Sequence, residues 1–246
     1  MQPEEGSIWT EPPRSPSLEG GTVHVWRIRL DQENHGLERF RETLEPHELE
    51  RAGRFHFEKH RRHFIVARGF LRTVIAGYLQ AKPEALRFSY GEFGKPALET
   101  EHSLRFNLSH SNEVALLAVA LDVELGVDVE HIRADFASED IARRFFSRPE
   151  VDAFNALRQE ERVAAFFRCW TRKEAYIKAI GKGLSQALDE FDVTLAPGIA
   201  PALLRAKDDD ATRWWLRDVE VGEGYAGALA VERPVAEVRF FRQDLS

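Results

Sequence analysis

Three carboxylates and one lysine, in two separate segments, are the side chains whose types and spacing could do chemistry. Asp128 and Glu130 lie one residue apart in the sequence GVDVE, on a predicted strand. Because side chains two positions apart on a strand share a face, both carboxylates could reach one cation. Glu174 and Lys178 are four residues apart on a predicted helix and share one side of it. Carboxylate oxygens are the ligands that Mg²⁺ takes together with substrate phosphates.

Each of these motifs also has a purely structural explanation. Taken alone, Asp128 and Glu130 fit a solvated strand edge. Glu174 and Lys178 fit an ion pair on a helix surface, which would contribute only a few tenths of a kcal/mol. The metal hypothesis therefore requires that all three carboxylates meet in the fold.

A strongly basic segment follows residue 50 in a chain whose formal net charge is −7. Between residues 51 and 72 only Glu58 opposes the basic side chains Arg51, Arg54, Lys59, Arg61, Arg62, Arg68 and Arg72, which are accompanied by His56, His60 and His63. Guanidinium groups bind phosphate oxygens in pairs of hydrogen bonds, so this segment predicts a phosphate-rich ligand. A solvated helix face, or arginines that balance the acidic remainder of the molecule, is the alternative.

Two shorter motifs add polar groups. Gly94-Lys95-Pro96 places a lysine on a rigid turn. Residues 106–111, FNLSHS, offer amide, hydroxyl and imidazole groups at a strand end. The neighbouring Ser109 and His110 do not indicate a serine hydrolase, because adjacent strand residues point to opposite faces and no nucleophile elbow is present.

Composition narrows the class of protein. The chain has 246 residues, 43% hydrophobic and 30% charged, which is ordinary for a globular protein, and no apolar run reaches the length of a membrane span. Cys169 is the only cysteine, so neither an internal disulfide nor a cysteine metal cluster can form. Residues 1–21 are polar and carry four prolines without the pattern of a signal peptide. They predict a flexible N-terminal lead-in to a cytoplasmic protein.

Hydrophobic periodicity predicts a similar order of elements in both halves of the chain. The first half has a strand at 23–30, a helical region at 45–79 broken near Gly53, and strands at 104–108 and 114–121 separated by a polar turn at 109–113. The second half has a short strand at 127–129, helix pieces at 141–146 and 149–157, a long helix at 160–180 ending at Gly181, and strands at 191–195, 213–221 and 225–231. This order predicts an α+β fold of two similar lobes, 22–122 and 123–246, with a ligand cleft between them.

Taken in this order, the motifs resemble the 4′-phosphopantetheinyl transferases, specifically the longer type that activates surfactin-like peptide synthetases. The resemblance covers residues 22–231 and is carried by the RFxFxK segment with the basic helix (54–72), Gly94-Lys95-Pro96, residues 106–111, and above all GVDVE with residues 170–178. It implies two lobes related by a pseudo-twofold axis within one chain, with coenzyme A in the cleft. The implied reaction moves the 4′-phosphopantetheine arm to a serine of an apo acyl or peptidyl carrier protein and releases 3′,5′-ADP.

The resemblance also implies roles for individual residues. Asp128, Glu130 and Glu174 would surround Mg²⁺, or Mn²⁺, and Lys178 would contact the coenzyme A phosphates. Lys95, Ser109 and His110 would lie near the adenosine and its 3′-phosphate, Arg51 would bind the same phosphate, and Arg61 and Arg62 are further candidates. Glu174 is the candidate general base, and an acidic carrier would dock near Arg143, Arg144, Phe145 and Phe146, although the two phenylalanines could equally belong to the core.

Two other functions stay open at this point. A Mg²⁺-dependent phosphohydrolase or nuclease could use the same carboxylates without a carrier protein. A non-catalytic module could bind nucleic acid through the basic helix, against which the acidic pI of about 5.8 counts. With the transferase hypothesis we expect a monomer with neither nucleic acid nor membrane as a partner. The natural carrier, from fatty-acid, polyketide or peptide synthesis, is left undetermined.

Overall fold

Helices and strands are mixed along the computed structural model, which describes residues 8–100, 102–183 and 186–243. Its helices are α1 (Asn34–Arg41), α2 (Pro46–Gly53), α3 (Glu58–Leu79), α4 (Glu139–Phe145), α5 (Arg148–Asn155) and α6 (Gln159–Ile180). Its strands are β1 (Thr22–Arg29), β2 (Phe88–Tyr90), β3 (Pro96–Leu98), β4 (Leu104–Ser111), β5 (Val114–Leu121), β6 (Leu125–His131), β7 (Phe191–Val193), β8 (Leu203–Ala206), β9 (Trp215–Asp218), β10 (Tyr225–Val231) and β11 (Glu237–Gln243). None of the helices in these ranges is long and apolar enough to cross a membrane.

Two sheets lie between the two long helices. The first sheet has the order β11-β1-β5-β4 and the second β6-β10-β9. The apolar face of α3, with Phe70 and Ile75, packs on one face of the first sheet, and α6 packs on the second sheet beside Ala228 and Ala230. The remaining faces of the two sheets pack against each other and form a third core. This layering explains why β5, VALLAVAL, is apolar on both faces.

The α+β class and the main helices predicted from the sequence are confirmed. The long second helix ends where expected, at Gly181, whose φ of 69° is the left-handed conformation that glycine adopts at helix ends. The predicted turn at 109–113 is shorter than expected: Asn112 and Glu113 form it, whereas Ser109, His110 and Ser111 belong to β4 and pair with β5. Periodicity also missed α1 and the short strands β2, β3 and β8.

The last strand corrects the predicted extent of the second lobe. β11 pairs in parallel with β1, so residues 237–243 belong to the first sheet and not to the second half of the fold. Part of the predicted flexible lead-in also packs on this edge. Trp9 is buried against Phe240, and Thr10 hydrogen-bonds to the backbone of Phe240 and Arg242. The expectation is therefore wrong for Trp9 and Thr10, while residues 1–7 lie outside the described ranges.

A buried histidine in β1 predicts a pH-dependent stability. Burial, aided by the charge of Arg239, lowers the pKa of His24 from its ordinary value of 6.5 to about 4. Its Nδ1 hydrogen-bonds to the Tyr78 hydroxyl at 2.7 Å. The unfolded chain binds this proton first as the pH falls, so stability present above pH 6.5 is lost towards pH 4, by up to about 3 kcal/mol.

Urea unfolding at pH 7 and pH 4.5 checks this expectation. The wild type should lose more free energy of unfolding between these two values than His24→Gln, which has no titrating group at this position. His35→Gln, at an exposed position on α1, is the matched control and should keep the wild-type pH dependence. An equal loss in wild type and His24→Gln would show that other groups set the acid sensitivity.

Candidate active site

A glycine in β6 lets the backbone of α6 approach the strand closely. A Cβ added at Gly126 would lie 2.1 Å from the carbonyl oxygen of Ala175 and 2.4 Å from the nitrogen of Ala179. Such distances are far inside van der Waals contact, so no other residue fits without moving the helix. The close approach places Lys178 of α6 beside Asp128 of β6.

Asp128 is the centre of a buried hydrogen-bond network. Its Oδ1 accepts from the Lys178 ammonium at 2.5 Å and from the Ser109 hydroxyl at 2.9 Å. Lys178 also donates to Ser109 Oγ at 2.8 Å. The Asp128 side chain is 3% exposed whereas that of Lys178 is 29% exposed, so the lysine can reach solvent and the carboxylate cannot.

The second oxygen of this carboxylate has the surroundings of a cation ligand. Among the described residues, Oδ2 of Asp128 is buried and has no hydrogen-bond partner. Burial raises the pKa of Asp128, although Lys178 and Ser109 act in the opposite direction. A buried carboxylate oxygen without a partner is costly in free energy, and a hard cation such as Mg²⁺ would satisfy it. This oxygen therefore suits one ligand position of the metal that the sequence implies.

The other two carboxylates lie within electrostatic reach of Asp128. Burial, together with the charge of Asp128, raises the pKa of both Glu130 and Glu174. Glu130 accepts a hydrogen bond from Ser111 at 2.7 Å, whereas no hydrogen bond or ion pair to Glu174 is found within the described ranges. In the described part of the chain, no three or more His, Cys, Asp or Glu side chains lie close enough together to form a metal cluster. The positive group in contact with Asp128 is the Lys178 ammonium.

Side chains of β4 bind the backbone of β6 where the two sheets meet. The N–H groups of Val127, Val129 and His131 donate to Asn107 Oδ1 (2.9 Å), Ser109 Oγ (3.3 Å) and Ser111 Oγ (3.0 Å). These bonds replace a main-chain ladder and fix the register between the strands. Sequence reasoning placed Ser109 at the site but missed this role of Asn107 and Ser111. The alternation of polar residues in FNLSHS was the available signal.

Lys95 lies at the carboxyl end of α6. Its ammonium donates to the Ala179 carbonyl at 3.0 Å, the Leu125 carbonyl at 3.3 Å and the Glu124 carboxylate at 3.1 Å. The ammonium is thus held by the protein itself, and it joins the end of the helix to the start of β6. Positive charge at this end of a helix is stabilising.

We expect Lys95→Met to lower the free energy of unfolding by about 1–2 kcal/mol, because the Ala179 carbonyl of α6, the Leu125 carbonyl of β6 and the Glu124 carboxylate lose their partner. Chemical denaturation of the purified variant measures this loss. Lys82→Met, at an exposed position after α3, is the matched control and should change stability by no more than about 0.5 kcal/mol. Equal stabilities for the two variants would contradict the bridging role of Lys95.

Part of the positive charge of α3 is neutralised by glutamates of α2 and its cap, which corrects the prediction that only Glu58 opposes it. Arg68 and Arg72 are buried and paired with Glu48, and Arg72 also contacts Glu45 at 2.6 Å. Both glutamates come from α2 and its cap, outside the window in which only Glu58 was counted. These two arginines therefore hold α3 to α2 and are not free for a ligand.

The remaining candidates in the basic segment have differing surroundings. Arg51 is exposed and stacks over Phe64 at 5.3 Å. Arg61 pairs with Glu58 on its own helix. Arg62 donates to Asn34 and to the Gln32 carbonyl near α1. Arg51 is therefore the least engaged of the three candidates with respect to hydrogen bonds.

A cavity connects two of the predicted site lysines. It has a volume of about 190 Å³ and lies between the turn at residues 93–96 and the carboxyl end of α6, with Lys95 and Lys178 in its lining. Phe93, a lining residue that sequence reasoning did not select, is 45% exposed. A planar exposed ring beside two ammonium groups suits a ligand with an aromatic base and phosphates. His110, expected nearby, is exposed on β4.

The proposed carrier contacts divide into surface and core. Arg143 and Arg144 are exposed on α4. Phe145 is half-buried against Trp170, with ring centroids 5.5 Å apart. Phe146 is 3% exposed and packs on Phe166 at 5.1 Å, so of the two alternatives left open for this residue the core position is the one found.

Comparison with known proteins gives a consistent result over nearly the whole chain. A family model described as the 4′-phosphopantetheinyl transferase superfamily matches residues 124–230, and one described as 4′-phosphopantetheinyl transferase, N-terminal, matches residues 31–122. The 4′-phosphopantetheinyl transferase HetI of Nostoc sp. is 39% identical over 226 residues, which is 91% of this chain and 93% of HetI. The 4′-phosphopantetheinyl transferase Sfp of Bacillus subtilis is 31% identical over 83% of this chain and 88% of Sfp.

Solved structures are more distant. A holo-[acyl-carrier-protein] synthase (AcpS) from Thermotoga maritima aligns with a TM-score of 0.36 and 22% sequence identity. The alignment covers 45% of this chain and 64% of that chain.

Proposed function

The chain belongs to the 4′-phosphopantetheinyl transferase superfamily, in its longer, Sfp-like type, and from this we propose its reaction and cofactor. The substrate is coenzyme A, the acceptor is a serine of an apo acyl or peptidyl carrier protein, and the product released is 3′,5′-ADP. The reaction depends on Mg²⁺ or Mn²⁺ held by Asp128, Glu130 and Glu174. The observation that supports this most directly is the buried, unpartnered Oδ2 of Asp128 beside two further carboxylates and Lys178.

In this reaction the serine hydroxyl oxygen forms a bond to the phosphorus of the phosphopantetheine group. The bond from that phosphorus to the bridging oxygen of the pyrophosphate breaks, and 3′,5′-ADP leaves with the electron pair. The bound divalent ion would neutralise charge on the pyrophosphate. Catalysis of this type is mainly positioning and charge neutralisation, so the chain need supply no nucleophile of its own.

The residues of this chain have separate tasks in the proposal. Lys178 is half-buried and contacts Asp128, so it can turn towards the substrate phosphates without crossing the core. Glu174, which has no hydrogen-bond partner among the described residues, accepts the serine proton directly or through water. Ser109 holds Oδ1 of Asp128 in place.

The nucleotide end of coenzyme A would lie in the cavity beside Phe93. Lys95, His110 and Arg51 would bind the adenosine and its 3′-phosphate, and Arg61 and Arg62 remain weaker candidates because both already have partners. The acidic carrier would dock near the exposed Arg143 and Arg144. Action as a cytoplasmic monomer, without nucleic acid or membrane, is part of the same proposal.

A carrier-modification assay tests the reaction. The purified chain is incubated with coenzyme A, Mg²⁺ and an apo carrier, and the carrier is weighed by intact-protein mass spectrometry. We expect a gain of one phosphopantetheine arm, none with EDTA, and none on a carrier whose acceptor serine is alanine. Hydrolysis of coenzyme A with no gain in carrier mass would favour the phosphohydrolase alternative and overturn the proposal.

A further inference from the structure

The three hydrogen bonds from β6 backbone N–H groups to Asn107, Ser109 and Ser111 of β4 form a joint between the two sheets. This joint does more than align the sheets. Two of its three side chains, Ser109 and Ser111, continue from the backbone of β6 to a carboxylate of the same strand. Ser111 accepts from the N–H of His131 at 3.0 Å and donates to Oε2 of Glu130 at 2.7 Å. Each serine therefore accepts a hydrogen bond from one backbone N–H of β6 and donates to the carboxylate of the residue just before it in the sequence.

The single proton of a hydroxyl group fixes the direction of the two hydrogen bonds that Ser111 makes. A serine hydroxyl has one proton to donate and two lone pairs. Since the His131 N–H occupies a lone pair of Ser111, the single Ser111 proton is left for Glu130. The backbone amide thus fixes the serine, and the serine fixes one oxygen of the glutamate. A long, half-buried side chain with several rotatable bonds is held in one orientation at the strand end.

We propose that Ser111 is a positioning residue that sets the affinity of the site for its divalent ion by holding the Glu130 carboxylate on the Asp128 side of β6. The inference rests on the proposed function, because it takes Glu130 as one of the carboxylates that hold the metal. Groups that hydrogen-bond to metal ligands orient them and commonly change metal affinity by about 10–100-fold when removed.

Asn107 provides a matched structural control in the same joint. Its Oδ1 accepts from the Val127 N–H at 2.9 Å, as Ser111 does from His131, and no hydrogen bond from Asn107 to a carboxylate is found in the part of the chain that the structure describes. Removal of either side chain leaves one β6 amide without its partner. Only removal of Ser111 also releases Glu130.

Binding of Mn²⁺ at a coenzyme A concentration that saturates every variant, measured by the electron paramagnetic resonance signal of free Mn²⁺, separates these effects. For Ser111→Ala we expect the Kd for Mn²⁺ to rise about tenfold. Ser111→Thr keeps the hydroxyl on a strand that favours β-branched residues, so its Kd should stay within about twofold of wild type. Asn107→Ala should lower the melting temperature and leave the Kd unchanged.

Two results would overturn the inference. One is a wild-type Kd for Ser111→Ala. The other is an equal rise in the Kd of Asn107→Ala, which would mean that any loosening of the joint weakens metal binding.

Glu130→Gln and the carrier-modification assay separate failure of the role of Ser111 from failure of the proposed function. If the wild type modifies the carrier and Glu130→Gln weakens Mn²⁺ binding, a wild-type Kd for Ser111→Ala rejects only the role of Ser111. If the wild type neither binds Mn²⁺ nor modifies the carrier, both fail.

Discussion

Replacement of Asp128 by asparagine should reduce the kcat/KM of phosphopantetheine transfer by about 10³-fold while the fold persists. The substitution keeps the shape of the side chain but removes its negative charge. Lys178 and the divalent ion would then lose the carboxylate that both require. Asp128 has the only buried carboxylate oxygen in the described ranges that lacks a hydrogen-bond partner, so the loss at this position should exceed that at Glu130.

Stability should respond in a different way from activity. Burial of the Asp128 carboxylate raises its pKa, so a neutral side chain of the same shape avoids part of the desolvation cost of the charge. Lys178 is partly exposed and can be solvated when its partner is removed. We expect the free energy of unfolding to change by less than about 2 kcal/mol.

Initial rates of carrier modification and urea unfolding of the same preparations measure the two effects. Asp135→Asn, at an exposed position a few residues beyond β6, is the charge-matched control and should keep full activity. A rate for Asp128→Asn within tenfold of wild type would remove Asp128 from the catalytic site. A large loss of stability would instead make the loss of activity uninformative about metal binding, and Asp128→Ser, which is smaller, would then be compared.

Gly126→Ala should destabilise the protein by about 3 kcal/mol or more and abolish transfer with it. The added Cβ would meet the Ala175 carbonyl and the Ala179 nitrogen at 2.1 and 2.4 Å. Both are backbone atoms of α6, so no side-chain rotation can relieve the contact. The helix must move away from β6, and Lys178 moves away from Asp128 with it.

Gly53 is the control position for Gly126. Gly53, at the end of α2, has no atom within 4 Å of an added Cβ, and Gly53→Ala should leave stability within about 1 kcal/mol of wild type. Urea unfolding of both variants gives the comparison. A Gly126→Ala variant as stable and as active as wild type would show that α6 and β6 need not lie in direct backbone contact.

Local patterns predicted the parts of the fold that are encoded locally. The apolar spacing in α3 and α6 and the glycine after Ile180 identified both long helices, because periodicity and end signals lie within the helix itself. GVDVE identified β6 and its two carboxylates for the same reason. The family was also recognisable from these motifs, since their order along the chain is specific.

What the sequence did not predict depends on partners far away along the chain. Arg72 was counted as free charge because its partners, Glu45 and Glu48, come from another helix. β11 was missed because it is stabilised by β1, more than 200 residues earlier. Ser111 was placed in a turn because its two hydrogen bonds are to residues of β6. In each case the deciding contact is tertiary, and no window of sequence contains it.

A crystal structure with coenzyme A and Mn²⁺, with the metal located by its anomalous scattering, tests the central claim most directly. We expect one anomalous peak in contact with Oδ2 of Asp128, with Glu130 and Glu174 as the other protein ligands, and the coenzyme A pyrophosphate completing the coordination. Lys178 should contact a phosphate oxygen. A coenzyme A complex in which the metal lies away from Asp128, or in which Glu130 and Glu174 face solvent, would contradict the account.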